Sequence, residues 1–180
     1  MPIFGRTDLR WTYQFFHDDL GLIPNQKSKV HAAFEKYSLI HGETLKLRFV
    51  PRYLPYVKLA NLDGQLGYTP PTGDEIQLNA TFIDELETEL PAAKVPRGRS
   101  YAPSEFEEKV LLILETTVLH ELVHWSRRKY GETVMLNYRS TRGLGFEEAV
   151  ARQFEKEAYG MTNNVHTLGI ARLMPRTAKL

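Results

Sequence analysis

The sequence predicts an α+β fold in which a small mixed sheet packs on a long buried helix and on a second helix that follows it. Three observations carry this expectation. Short apolar runs bounded by turn residues lie between positions 45 and 79, a segment apolar on nearly every side runs from Val110 to Val123, and a further helical pattern begins after Gly143-Leu144-Gly145. Strands followed by helices, rather than alternating with them, favour α+β over a parallel α/β sheet. With 180 residues, 42% of them hydrophobic, the chain has the length of one well-packed domain. The expected division of 1–180 is a sheet with supporting helices over 1–100, two long helices over 104–160 and a C-terminal tail over 161–180. No internal repeat is present.

Taken in order, Val30, Ala33, Phe34 and Tyr37 fall at helical spacing, with Gly42 as the expected stop. Leu45, Leu47 and Phe49 alternate with Lys46 and Arg48, which predicts a half-buried strand ending before Pro51. Asp63-Gly64 is a tight-turn signal between Val57–Leu62 and Gln65–Tyr68. After the Pro70-Pro71-Thr72-Gly73 loop a short strand is expected at Glu75–Asn79, then a helix begun by Phe82, Ile83 and Leu86 and closed by Pro91. The stretch from Ala92 to Pro103, rich in Pro, Gly and basic residues, reads as a flexible crossing that could flank a cleft.

The long helix has legible ends. Ser104 and Glu107 form a capping box directly after Pro103, and Phe106 opens the apolar register. Arg127, Arg128 and Lys129 suit the negative end of the helix dipole, and Gly131 offers a left-handed stop. Within this helix stands His120-Glu121-Leu122-Val123-His124, and Ile113, Thr117, His120 and His124 follow one another at steps of four, three and four, so the histidines extend an inward stripe. Residues i and i+4 share a helix face, so His120 and His124 can bind one metal ion from a single turn while Glu121 projects beside them to take the proton of a bound water. Imidazole with carboxylate suits Zn2+ best, with manganese, iron or cobalt as alternatives. A third protein ligand is required, leaving the fourth position for water.

Downstream, Phe146 to Glu155 reads as a second helix carrying Glu147 and Glu148. Here the chain resembles the gluzincin metallopeptidases, the thermolysin-like group, in which a Glu from a following helix completes the metal site, followed by Ala and, six residues on, by an aromatic. Glu148, Ala149 and Phe154 reproduce that register. The resemblance implies Glu148 as third ligand, Glu121 as catalytic base and a minimal zincin fold. Glu147 stays as the alternate ligand, since Glu147, Ala151, Phe154 and Ala158 make a stripe at helical spacing. The group's pattern has an Asp four residues after the ligand Glu to orient the first histidine; this chain has Arg152 there, so another group must take that role. Glu155, Lys156 and Glu157 read as solvent-facing charges. Donors for the oxyanion are Tyr130, Tyr138, Tyr159 or His166, with His166 first on the family pattern. Ile76–Asn79 is the candidate edge strand of the cleft, to which an extended peptide could pair.

Composition limits the alternatives. A net charge of +1 provides no general attraction to nucleic acid or anionic membrane. The stretch from Val110 to Val123 is interrupted by Glu115, His120 and Glu121 and is no membrane span, and Met1 to Leu20 lacks the apolar core of a signal peptide. With no cysteine, thiolate metal sites and disulfides are excluded. The expected function is a zinc-dependent endopeptidase, a hydrolase acting on a peptide or protein. In size and layout the chain is similar to metallopeptidase toxins delivered by bacterial specialised secretion systems. That resemblance implies an antibacterial effector with a secretion-system component and a cognate immunity protein as partners. Leu122-Val123-His124-Trp125 also resembles the metallopeptidase-like domains of anti-restriction proteins, which implies a cytoplasmic, regulatory setting instead. A binding module with a structural metal is the alternative from another class.

Overall fold

The computed structural model describes residues 6, 8–90, 104–130 and 145–161. The N-terminal part is helical: α1 (Arg10–Gln14) runs into a π turn over Phe15–Asp19 and a 3-10 turn over Leu20–Leu22, then come α2 (Ile23–Gln26), α3 (Ser28–Ser38) and α4 (Gly42–Leu47). Strands β1 (Tyr56–Ala60), β2 (Gly67–Tyr68) and β3 (Glu75–Asn79) follow, then α5 (Ala80–Glu89), α6 (Glu105–Tyr130) and α7 (Phe146–Tyr159). This is the expected mixed α+β architecture, with more helix than the sequence pattern suggested.

Two local expectations fail, each for its own physical reason. The strand expected over Leu45–Phe49 is instead the end of α4 and the turn that continues it, because Leu45 and Phe49, four apart, are buried while Leu47 between them is exposed. Apolar residues at i and i+4 lie on one helix face, whereas a strand would have buried all three. The preceding helix stops before Gly42: Leu39 takes the left-handed conformation (φ 62°), and Gly42 (φ 61°) opens α4 instead of closing α3.

The sheet has the order β1-β3-β2, with β1 parallel and β2 antiparallel to β3. The turn at Asp63-Gly64 forms, with Gly64 at φ 68°, but the segments on either side do not pair with each other. Both pair with β3, which is therefore the interior strand, so the expectation of Ile76–Asn79 as an edge strand is not met and the sheet edges are β1 and β2. Ile76 and Leu78 of the central strand and Val57 of β1 are buried on the helix-covered face of the sheet.

Helix α6 runs through the middle of the domain. The capping box starts it as expected, with Ser104 N–H donating to Glu107 Oε2 (2.6 Å) and Glu107 N–H to Ser104 Oγ (3.3 Å). Val110, Ile113, Leu114, Val118, Leu119, Leu122 and Val123 are all buried, against the sheet on one side and against α3 and α7 on the other. Phe154 of α7 meets Phe34 of α3 edge to face, with ring centroids 6.1 Å apart, which ties α7 into the same core. The basic trio at the end of α6 does more than face a dipole. Arg127 donates to Tyr37 O (3.1 Å), Arg128 to Pro70 O (2.5 Å) and to Thr69 O, and Lys129 to Asp74 (2.9 Å).

Asn79 is the joint between sheet and helix. Its buried side chain accepts from Thr81 N–H (3.0 Å) and Phe82 N–H (3.3 Å), capping α5, and donates to Gln65 O (2.8 Å) and Leu62 O. Asn79→Ala removes the cap and the donor to the Leu62 and Gln65 carbonyls, so it should destabilise the fold by about 2 kcal/mol in urea unfolding. A loss below about 0.5 kcal/mol would show that the cap is dispensable.

Candidate metal centre

His120 and His124 lie on one face of α6, and α7 crosses that face with Glu148. Three atoms converge there: His120 Nε2 and His124 Nε2 are 3.1 Å apart, and Glu148 Oε2 lies 3.3 Å from the first and 3.5 Å from the second. Lone pairs brought this close repel unless positive charge lies among them. Donors about 2.0–2.1 Å from a tetrahedral ion stand about 3.3 Å apart, so the triangle has the dimensions of one face of a metal site. The cluster could hold a divalent cation.

The electrostatics point the same way. Burial pulls the His120 imidazolium down, but its hydrogen bonds with Glu148 and Glu155 and the nearby Glu121 charge outweigh this and raise it to about 10. Burial likewise opposes charge on His124, and Glu147, Glu148 and Glu121 raise it nonetheless. The two imidazoles hold the Glu148 carboxyl far below the usual carboxylate range, against its partial burial. The pocket is thus built to favour a positive charge at the imidazoles. A metal taking that place displaces protons, so its affinity falls as pH is lowered.

The remaining carboxylates divide the supporting work. Glu155, read as a solvent-facing charge, is 5% exposed, and its Oε1 lies 2.5 Å from His120 Nδ1. It stands at the ring nitrogen for which the sequence reading, with Arg152 at the family's orienting position, had no group to place. Glu148 and Glu155 are seven residues apart and share a helix face two turns along, and this spacing was the signal that could have found it. Arg152 instead donates from Nε to Glu148 Oε1 (2.7 Å), leaving Oε2 toward the imidazoles. Glu147 Oε2 lies 3.9 Å from His124 Nδ1 and 3.5 Å from Arg127 Nε, behind His124 and outside the triangle. Glu121, on α6, is 6% exposed, and burial pushes its carboxyl up while His120 and His124 pull it down.

Of the expected oxyanion donors, Tyr130 is exposed and accepts from Arg48, and Tyr159 donates to Glu115 (3.0 Å), so neither is brought to the triangle. Tyr138 and His166 lie outside the described residues, as do Ala92–Pro103 and Gly131. The Thr69 to Asp74 loop lines a cavity of about 270 Å3 together with Trp125, Arg128 and Lys129 of α6.

If Glu155 fixes the His120 ring, Glu155→Gln should weaken zinc binding about 10- to 100-fold in competition with a chromophoric chelator. Unchanged affinity would remove Glu155 from the centre.

The model of the family described as Metallopeptidase toxin 3 matches residues 11–160, a span that contains the sheet, α6 and α7. No curated protein and no solved structure matches the chain. The family's description is that of a metal-dependent peptidase acting as a toxin, in agreement with the resemblance drawn from size and layout. The chain belongs to the Metallopeptidase toxin 3 family.

Proposed function

We propose that the protein is a zinc-dependent endopeptidase that works as a delivered antibacterial effector, with His120, His124 and Glu148 as metal ligands and Glu121 as general base. The observation that carries the reading is the convergence of two Nε2 atoms and one carboxylate oxygen at 3.1 to 3.5 Å. Zinc is favoured among metals because two imidazoles and a carboxylate with an open fourth position suit it. Held by these residues, zinc would act as a Lewis acid toward the scissile carbonyl and would lower the pKa of water to about 7.

The protein's own groups do the rest. Glu155, at His120 Nδ1, fixes that ring so that Nε2 faces the metal position. Arg152 anchors the far oxygen of Glu148. Glu121 takes the proton of the attacking water and passes it to the leaving amine. Strand β2 is the sheet edge nearest the site and gives an extended peptide a backbone to pair with. The toxin family supports a protein of the target cell as substrate and a cognate immunity protein in the producer. Among the described residues no helix is long and apolar enough to cross a membrane.

Two comparisons test the assignment. Glu148→Ala should abolish tight zinc binding while Glu147→Ala keeps the stoichiometry; the reverse result would exchange their roles. Glu121→Gln should keep zinc and fold but lower hydrolysis of a quenched-fluorescent peptide by about 100-fold or more. A fully active variant would favour a binding module with a structural metal.

A further inference from the structure

Strand β2 closes on the Glu121 side chain from two directions. Thr69, just after β2 and 3% exposed, places Oγ1 2.7 Å from Glu121 Oε2 and 3.0 Å from the Glu121 backbone oxygen. A hydroxyl has one proton, and the shorter, charge-assisted contact to the carboxylate takes it. On the other side stands Gly67. A Cβ there would lie 2.7 Å from Glu121 Cγ, 2.9 Å from Glu121 Oε1 and 2.9 Å from Thr117 Cγ2. Any larger residue at 67 must therefore displace the carboxylate arm or the strand.

The segment that grips Glu121 is itself tied to α6. Arg128, two turns beyond Glu121, donates to Pro70 O (2.5 Å) and to Thr69 O. The backbone pairs Gly67 with Leu78 and Tyr68 with Gln77, which holds β2 to the sheet. A glutamate side chain has three rotatable bonds and would otherwise sample many positions. Here its carboxylate is held by a donor on one oxygen and by close packing along its arm.

We infer that Thr69 is a positioning residue for Glu121, and that Gly67 is the space that lets β2 approach closely enough for Thr69 to do this. The inference rests on Glu121 being the general base. A base must hold its oxygen within about 2.6–3.2 Å of the proton it takes, and a misplacement of about 1 Å can lower a rate by about 100-fold. The Thr69 hydroxyl occupies one acceptor position of the carboxylate and leaves the others for water. Because the contact is to Glu121 and not to a ligand-side atom, its loss changes the chemical step and leaves metal binding as it is.

The test uses the full chain loaded with zinc, turning over a quenched-fluorescent peptide that the wild-type protein cleaves. Thr69→Val keeps the side-chain shape and removes the hydroxyl. It should lower kcat by about 10- to 100-fold with KM and zinc affinity unchanged, and Thr69→Ser should restore kcat. Gly67→Ala should lower kcat in the same way with zinc retained, and it carries the test should Thr69→Val fail to fold. A purely structural contact would instead lower stability with no selective loss of kcat and no rescue by serine. Wild-type kcat in Thr69→Val or Gly67→Ala, beside an inactive Glu121→Gln, would overturn the inference alone. A fully active Glu121→Gln would overturn the base assignment and the inference with it.

Discussion

Two imidazoles and a carboxylate meet within 3.5 Å in a partly buried pocket, and the packing of the surrounding elements brings them there. Polar groups taken from water lose several kcal/mol each unless hydrogen bonds or opposite charge replace the hydration. Here the replacement is systematic. Glu155 sits on one nitrogen of His120 and Arg152 on the outer oxygen of Glu148, while Glu147 and Arg127 stand behind His124. His120 and Glu148 each have a close partner on the far side, whereas His124 Nδ1 has only the Glu147 carboxylate at 3.9 Å.

Geometry of that kind needs two helices held rigidly against each other. Helix α6 achieves it by being apolar nearly all round, with the sheet on one flank and α3 and α7 on the other. Ala151, Phe154 and Ala158 of α7 are buried at helical spacing, and their burial fixes the rotation that turns Glu148 and Glu155 toward His120. The same close packing brings β2 onto Glu121. Stability and site are thus consequences of one packing arrangement, and core substitutions beneath α7 would be felt in both.

Helix α6 was legible because every local signal agreed: the capping box, the apolar faces, the basic end and the i, i+4 histidines. The place of Glu148 beside those histidines was legible through the family register. Glu155 is easily passed over because its neighbours Lys156 and Glu157 suggest a solvated helix face, although its seven-residue spacing from Glu148 puts it on the same side of α7. The strand expected at Leu45–Phe49 fails for a related reason. Alternation over five residues fits period 2, but i and i+4 burial fits a helix equally well, and tertiary packing chooses. Sheet order was equally out of reach, since the turn at Asp63-Gly64 fixes a change of direction and not a pairing partner.

The central claim is that α6 and α7 together hold one zinc ion through two histidines and one carboxylate. X-ray absorption at the zinc edge on the loaded protein reads this directly. The account predicts two imidazole shells, with nitrogen and oxygen donors at about 2.0–2.2 Å and no sulfur. A spectrum with one imidazole, with three, or with none would contradict it.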